Sequence, residues 1–198
     1  MIIRPATIAE VSELVRLVNS AYRGEEGQVG WTNEAHLIGG PRTSAVDVEE
    51  LVREPGGVIL TGWGEGGSFG KGSGQAEAAG LGEAGSAAGL GELGHLLGCV
   101  YLKLEGQKLY LGMLSVWPEL QGAGIGKRLM EAAAEYAAEH HCTAIRITVI
   151  SVRDELIAWY ERHGFRRTGE VEAFHAGDRF GTLKRKLELA VLEKLLGI

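Results

Sequence analysis

Along "TIAEVSELVRLVNSAY" the apolar residues Val11, Leu14, Val15 and Val18 recur at helical spacing and gather on one face, which predicts an amphipathic helix. Thr7 and Glu10 stand ahead of them in capping-box spacing and mark its start. A polar, glycine-bearing stretch follows, "RGEEGQVGWTNEAHLIGGPRT", with a short helical turn expected near 33–37. "SAVDVEELVREPG" reads as a second helix, capped by Ser44 and stopped at Pro55. "MIIRPA", "GVILTGW" and the β-branched run "TAIRITVI" read as strands. "LGCVYLKLEG" and "KLYLGMLSVWP" read as two antiparallel strands around a turn at Gly106.

In the second half, Ile125, Leu129, Ala132, Ala133 and Tyr136 mark one face of a helix running to about His140. "VRDELIAWYERHG" is a further helix, with Ser151 as its expected cap and Gly164 as its stop. "FRRTGEVEAF" and "GTLKRKLELAVL" read as two late strands. Strand-helix-strand crossovers around a largely antiparallel middle predict an α/β domain on one central mixed sheet flanked by helices.

Composition interrupts this order once. Residues 64–94 hold twelve glycines and repeat "AAGLGE" at Ala78–Glu83 and Ala87–Glu92. Such a stretch carries too little apolar bulk to offset the entropy of ordering it. It is expected to be a flexible insertion between two strands, since the cost of closing a loop grows slowly with its length. The 198 residues then suit one domain, 1–198, carrying that insertion.

Charge and cysteine content narrow the function classes. A formal net charge of −6 argues against a nucleic-acid surface. Cys99 and Cys142 form no C-x-x-C pair and read as reduced interior residues. The six histidines are scattered, apart from the adjacent His140 and His141, so no metal site is expected. No apolar run approaches the ~18 residues of a membrane span, and "MIIRPATIAE" lacks a signal-peptide pattern, so the expected location is the cytoplasm, with no membrane partner.

The chemistry concentrates at "QGAGIGKRL", where Gly122, Gly124 and Gly126 lie between a strand and a helix. The first N–H groups of a helix lack intrahelical partners and sit at the positive end of its dipole, so this turn is suited to an anion. Missing Cβ atoms let a phosphate approach, and Lys127 and Arg128 add charge. The spacing is not the G-x-G-x-x-G of dinucleotide folds, and the phosphate-loop pattern fails because Gln121 and Arg128 occupy its first glycine and its hydroxyl position.

"LSVWPELQGAGIGKRLMEAAAEYA" followed by "ITVISVRDELIAWYERHGF" resembles the GNAT superfamily of N-acetyltransferases. The family's glycine pattern falls on Gln121, Gly124 and Gly126, and its tyrosine followed by G-F falls on Tyr160, Gly164 and Phe165. The resemblance covers Leu109 to about Gly169, and the order of elements before it agrees. It implies a single domain of this kind, its sheet splayed open at the cofactor-binding strand.

The resemblance also implies roles. Gln121, Gly122, Ala123, Gly124, Ile125, Gly126 and Lys127 would hold the pyrophosphate of acetyl-CoA. The edge at Leu114, Ser115 and Val116 would pair with the pantetheine arm, an amide there binding the thioester carbonyl. Tyr160 would protonate the departing thiolate. Arg153 stands where many members carry asparagine, and it is expected to reach the cofactor, on a phosphate. Tyr22, Arg23, Glu26, Trp31 and Arg42 are the candidates for acceptor recognition, arginine suiting a carboxylate. Tyr22, Glu25 and Glu26 are candidates for a base acting through water. The expected partners are acetyl-CoA and an amine acceptor, with a homodimer left open. A small-molecule amine, a peptide amine and a non-catalytic acetyl-CoA-binding module all stay open at this point.

Overall fold

Val11, Leu14, Leu17, Val18 and Ala21 are buried in the computed structural model, which describes residues 1–24, 30–64, 94–174 and 181–197. They form the inner face of helix α1 (Val11–Arg23), as their spacing predicts. A single 3-10 turn at Ile8–Glu10 precedes it. There the Glu10 carboxylate accepts the Thr7 N–H at 2.7 Å and pairs with Arg4, so the predicted capping residues do meet. Helix α2 (Ala45–Arg53) begins at Ser44, whose hydroxyl accepts the Asp47 N–H at 3.3 Å while Asp47 accepts the Ser44 N–H at 2.9 Å.

The strands are β1 (Ile2–Pro5), β2 (Ile38–Gly39), β3 (Gly57–Trp63), β4 (Leu96–Glu105), β5 (Lys108–Val116), β6 (Ala144–Ile150), β7 (Arg166–Ala173), β8 (Thr182–Leu183) and β9 (Glu188–Leu195). Seven form one sheet in the order β1-β3-β4-β5-β6-β9-β7, while β2 and β8 pair separately. Every neighbouring pair in the large sheet is antiparallel except β5 and β6. Helices α3 (Ile125–Glu139) and α4 (Asp154–Arg162) complete the domain. The core splits by face. Leu129, Ala133, Ile157 and Tyr160 meet Leu109, Leu111, Ile147 and Leu192 on one side. Leu14, Val18 and Val48 meet Ile59, Cys99, Tyr101 and Met113 on the other.

Two expectations are corrected. The N-cap of α4 is Arg153, not Ser151, because Ser151 and Val152 form a turn closed by the Arg153 N–H on the Ile150 carbonyl at 2.8 Å. The run "GTLKRKLELAVL" is not one strand: β8 leaves it to pair with β2, and only β9 joins the large sheet between β6 and β7. The region expected to be a short helical turn closes as turns, with the Leu37 and Ile38 N–H groups both on the Glu34 carbonyl. The bulk of the expected insertion lies outside the described residues. Its rims do not: the Gly64 N–H donates to the His95 carbonyl at 3.0 Å, closing the antiparallel pair of β3 and β4. Cys99 and Cys142 are both free and buried, and no helix among the described residues is long and apolar enough to cross a membrane.

Candidate active site

The site begins where β5 parts from β6. The two strands pair only at Lys108, Leu109 and Tyr110, opposite Ala144, Ile145 and Arg146. Beyond Tyr110 both continue without each other, to Val116 and to Ile150. The cause is local to β5. Its register with β4 shifts between Cys99 and Tyr101, opposite a stretch where Met113 takes φ 52°. A bulge of this kind bends its strand and strengthens the local twist. The predicted splay is therefore present, and it opens at Leu111–Val116.

Beyond Val116 the chain passes a 3-10 turn (Pro118–Leu120) and enters the glycine turn. Gly122 and Gly124 sit at φ 87° and 80°, left-handed backbone that other residues adopt only at a cost. A Cβ at either would meet nothing within 4 Å, so this turn faces open space. The first bond into α3 runs from the Arg128 N–H to the Gly124 carbonyl. The N–H groups of Ile125, Gly126 and Lys127 find no acceptor among the described residues. Three free donors at a helix start, with no side chain in the way, match the chemistry of a phosphate.

A cavity of about 830 Å³ runs from this turn along α4 into the splay. Leu114, Val116, Gln121, Gly122, Gly124, Ile125, Gly126 and Lys127 of the expected cofactor set line it, while Ser115, Ala123 and Arg153 do not. Ser115 is buried and turns its hydroxyl to the Met113 carbonyl at 3.1 Å. A second cavity of about 390 Å³ lies on the far side of the splay, between β5 and β6. The two share Tyr22, Leu114, Leu156 and Tyr160.

Tyr160 thus stands at the junction. Its ring packs edge-on against Phe165 at 5.4 Å and Trp159 at 5.0 Å, which fixes its direction. Its hydroxyl forms no hydrogen bond among the described residues, and burial raises its pKa well above the ordinary phenol value. It stays protonated at neutral pH and is able to give a proton.

The acceptor candidates divide. Tyr22 and Arg42 line the second cavity, with the Arg42 guanidinium 5.4 Å from the centroid of the Tyr22 ring. Trp31 lines the first cavity instead. Arg23 lines neither. Its Nε and Nη1 bond the carbonyls of Gly40 and Tyr22, and Nη1 meets the Glu34 carboxylate at 2.7 Å. Glu25 and Glu26 lie outside the described residues. Tyr22 donates its hydroxyl to the Leu114 carbonyl at 3.0 Å, and burial raises its pKa too, which holds the phenol protonated at neutral pH. Arg153 lines the second cavity and spends two donors on the backbone carbonyls of Trp31 and Thr32.

Glu34, Tyr110 and Thr148 also line the second cavity. No local pattern marks Glu34 or Thr148, which reach it from a loop and from β6. Trp159 lines the first cavity, with its ring 5.5 Å from that of Trp31.

Residues 74–165 match the model of the acetyltransferase (GNAT) family. Thialysine N-epsilon-acetyltransferase from Sus scrofa is 30% identical over 88 residues, which are 44% of this chain and 52% of that protein. The chain thus spans about half the length of the curated relatives it matches. A ribosomal-protein-alanine N-acetyltransferase from Brucella melitensis superposes with a TM-score of 0.60 at 20% identity, covering 99% of this chain and 100% of that one. The paia N-acetyltransferase from Thermoplasma acidophilum, solved in complex with coenzyme A, gives 0.59 at 15% identity and covers 98% of each chain. At such identities these two structures share the fold.

Proposed function

From the match of residues 74–165 to the acetyltransferase (GNAT) family, we propose that this chain is a member of that family and moves an acetyl group from acetyl-CoA to the primary amine of a small molecule. One observation carries the reading: two cavities meet at Leu114 and Tyr160, one ending on free helix N–H groups and the other lined by Glu34 and Arg42. That arrangement holds two reactants at once, the condition for direct transfer in a ternary complex.

The residues fit acetyl-CoA as cosubstrate. The Ile125, Gly126 and Lys127 amides would receive its pyrophosphate, and the open edge of β5 would run beside its pantetheine arm. The acceptor nitrogen attacks the acetyl carbon and loses a proton to water. The C–N bond forms, the C–S bond breaks, the sulfur takes its proton from Tyr160, and the phenolate regains one from the water that received the amine proton. Cys99 offers no competing covalent route: burial pushes its thiol up to about 12, and it lines neither cavity.

The second cavity, at about 390 Å³, is the size of a small-molecule site, which favours a small acceptor over a folded protein. The curated relatives are thialysine N-epsilon-acetyltransferases, which supports an amine at the end of an amino-acid side chain. Arg42 supports a carboxylate on the same molecule. The test is thiol release from acetyl-CoA across amino acids, polyamines, aminoglycosides and lysine peptides. Release with amino-acid-sized amines is expected. Release only with peptides would move the reading to a protein acetyltransferase, and no release together with no heat of acetyl-CoA binding would overturn it.

A further inference from the structure

Trp31 is 39% exposed, so its place over the cofactor cavity is not set by burial. Hydrogen bonds set it instead. The Trp31 N–H donates to Gln121 Oε1 at 2.9 Å, and the Thr32 hydroxyl accepts from Gln121 Nε2 at 3.0 Å. Nε2 also reaches the Val116 carbonyl at 3.2 Å, which anchors the carboxamide to the end of β5. From the other wall, Arg153 Nη2 donates to the Trp31 carbonyl at 2.8 Å and Nη1 to the Thr32 carbonyl at 3.2 Å. Gln121 precedes α3 and Arg153 caps α4, so the short strap Gly30–Thr32 is clamped from both sides of the cleft. Gly30 is part of the clamp, because a Cβ there would lie 2.7 Å from both Gln121 Oε1 and Nε2.

Resting on the acetyl-CoA reading above, we propose that Gln121 and Arg153 are positioning residues that act on cofactor binding through this strap, holding Trp31 against Trp159 as a wall of the cleft. The sequence alone suggests direct cofactor contact for both, for Gln121 through the family pattern and for Arg153 only through its place where many members carry asparagine. The clamp gives them a shared indirect task, and it links the two cavities: Gln121 lines the first, Arg153 the second, and the strap connects them.

Two measurements test this. In the ligand-free protein, amide exchange at Trp31 is followed in wild type, Gln121→Ala, Arg153→Ala and Gly30→Ala. Faster exchange in all three variants is expected, and unchanged exchange in Arg153→Ala or Gly30→Ala overturns the clamp. Dissociation constants are then measured for acetyl-CoA and for acetyl-pantetheine, which lacks the phosphates. Gln121→Ala and Arg153→Ala should each weaken both ligands about fivefold, the loss of one ordinary net hydrogen bond. The double variant should lose little more than either single one, because both act on one strap. Arg153→Lys should recover part of the loss. A loss confined to acetyl-CoA, or fully additive losses, would mean direct phosphate contacts and would sink the proposal. Wild type failing to bind either thioester overturns the acetyltransferase reading and the strap's binding role, while exchange at Trp31 still decides whether the clamp exists.

Discussion

The Tyr22 hydroxyl donates to the Leu114 carbonyl at 3.0 Å, joining the last turn of α1 to β5 at the point where its sheet has opened. A carbonyl at a splayed edge has lost its neighbouring strand, and this phenol takes that strand's place. Tyr22→Phe should cost about 0.5–1.5 kcal/mol, the net worth of one ordinary hydrogen bond at a partly buried site. Urea denaturation measures it. Since Tyr22 is held as a donor with a raised pKa, the variant should keep the shape of the wild-type pH–rate profile. A lost basic step would restore Tyr22 as a base.

The glycines of the turn before α3 are not equivalent. Gly124 sits at φ 80°, so Gly124→Ala should destabilise the fold by about 1 kcal/mol and weaken acetyl-CoA by distorting the turn. Gly126 is inside α3 with ordinary backbone, and a Cβ there would stand 3.8 Å from Trp159 and 3.9 Å from Val116. Gly126→Ala should keep or raise Tm, since alanine suits a helix by up to about 1 kcal/mol over glycine. Its cost should show only as weaker acetyl-CoA binding, because Gly126 lines the cavity. Paired thermal melts and titrations separate the two effects.

The same contrast shows what was legible in the sequence. The strand over Gly57–Trp63, the Ser44 cap and the α3 face at Leu129 and Ala133 follow from residue type and local period, and they stand where expected. The place of β9 between β6 and β7 does not, because strand order depends on pairings across the whole chain. Arg153 shows why roles resist transfer by position. Its guanidinium meets carbonyls from Trp31 and Thr32, and no spacing in "ISVRDELIAWY" announces that contact. The turn at Gly122–Gly126 was legible as a turn, because the left-handed backbone at Gly122 and Gly124 favours glycine.

Gly112 offers a test of the acceptor side. A Cβ there would fall 2.8 Å from Tyr110 Cε1, so the ring lies where a side chain would stand. Gly112→Ala must push that ring toward Thr148, across the second cavity. The acceptor KM should rise about tenfold or more, while the dissociation constant of acetyl-CoA stays near wild type. Equal losses for both ligands would show that the two cavities are not separate sites.

Acid should unfold the N-terminal half through two carboxylates. Burial works against the charge of Glu10, yet bonds from Arg4 and Thr7 outweigh it and hold its pKa below the ordinary 4.5. Glu54 is lowered by Lys103 and then by Tyr101. Both therefore contribute stability that is fully present above about pH 4.5 and is lost as pH falls through their lowered folded values. Glu10→Gln should flatten the fall of Tm below that pH and cost about 1–3 kcal/mol at pH 7. An unchanged acid limb would exclude Glu10 from the transition.

Tyr160→Phe decides the chemistry. The variant keeps the ring contacts with Phe165 and Trp159 and removes only the hydroxyl, so fold and acetyl-CoA affinity should survive. General acids commonly supply about 10²–10⁴ in rate. A thiol has a pKa of only ~8.5 and leaves readily as the anion, which puts the expected loss in kcat lower, at about ten- to a hundredfold. The pH profile carries a second signature. Burial raises the Tyr160 pKa above its ordinary 10.0, so the acid stays protonated and kcat should show no alkaline fall up to pH 10 in wild type. The rate should instead climb toward that pH in both proteins, because an acceptor amine with a pKa near ~10.4 is mostly protonated at neutrality. A wild-type rate that falls below pH 10 would mean that the proton on the departing sulfur comes from a group other than this buried phenol.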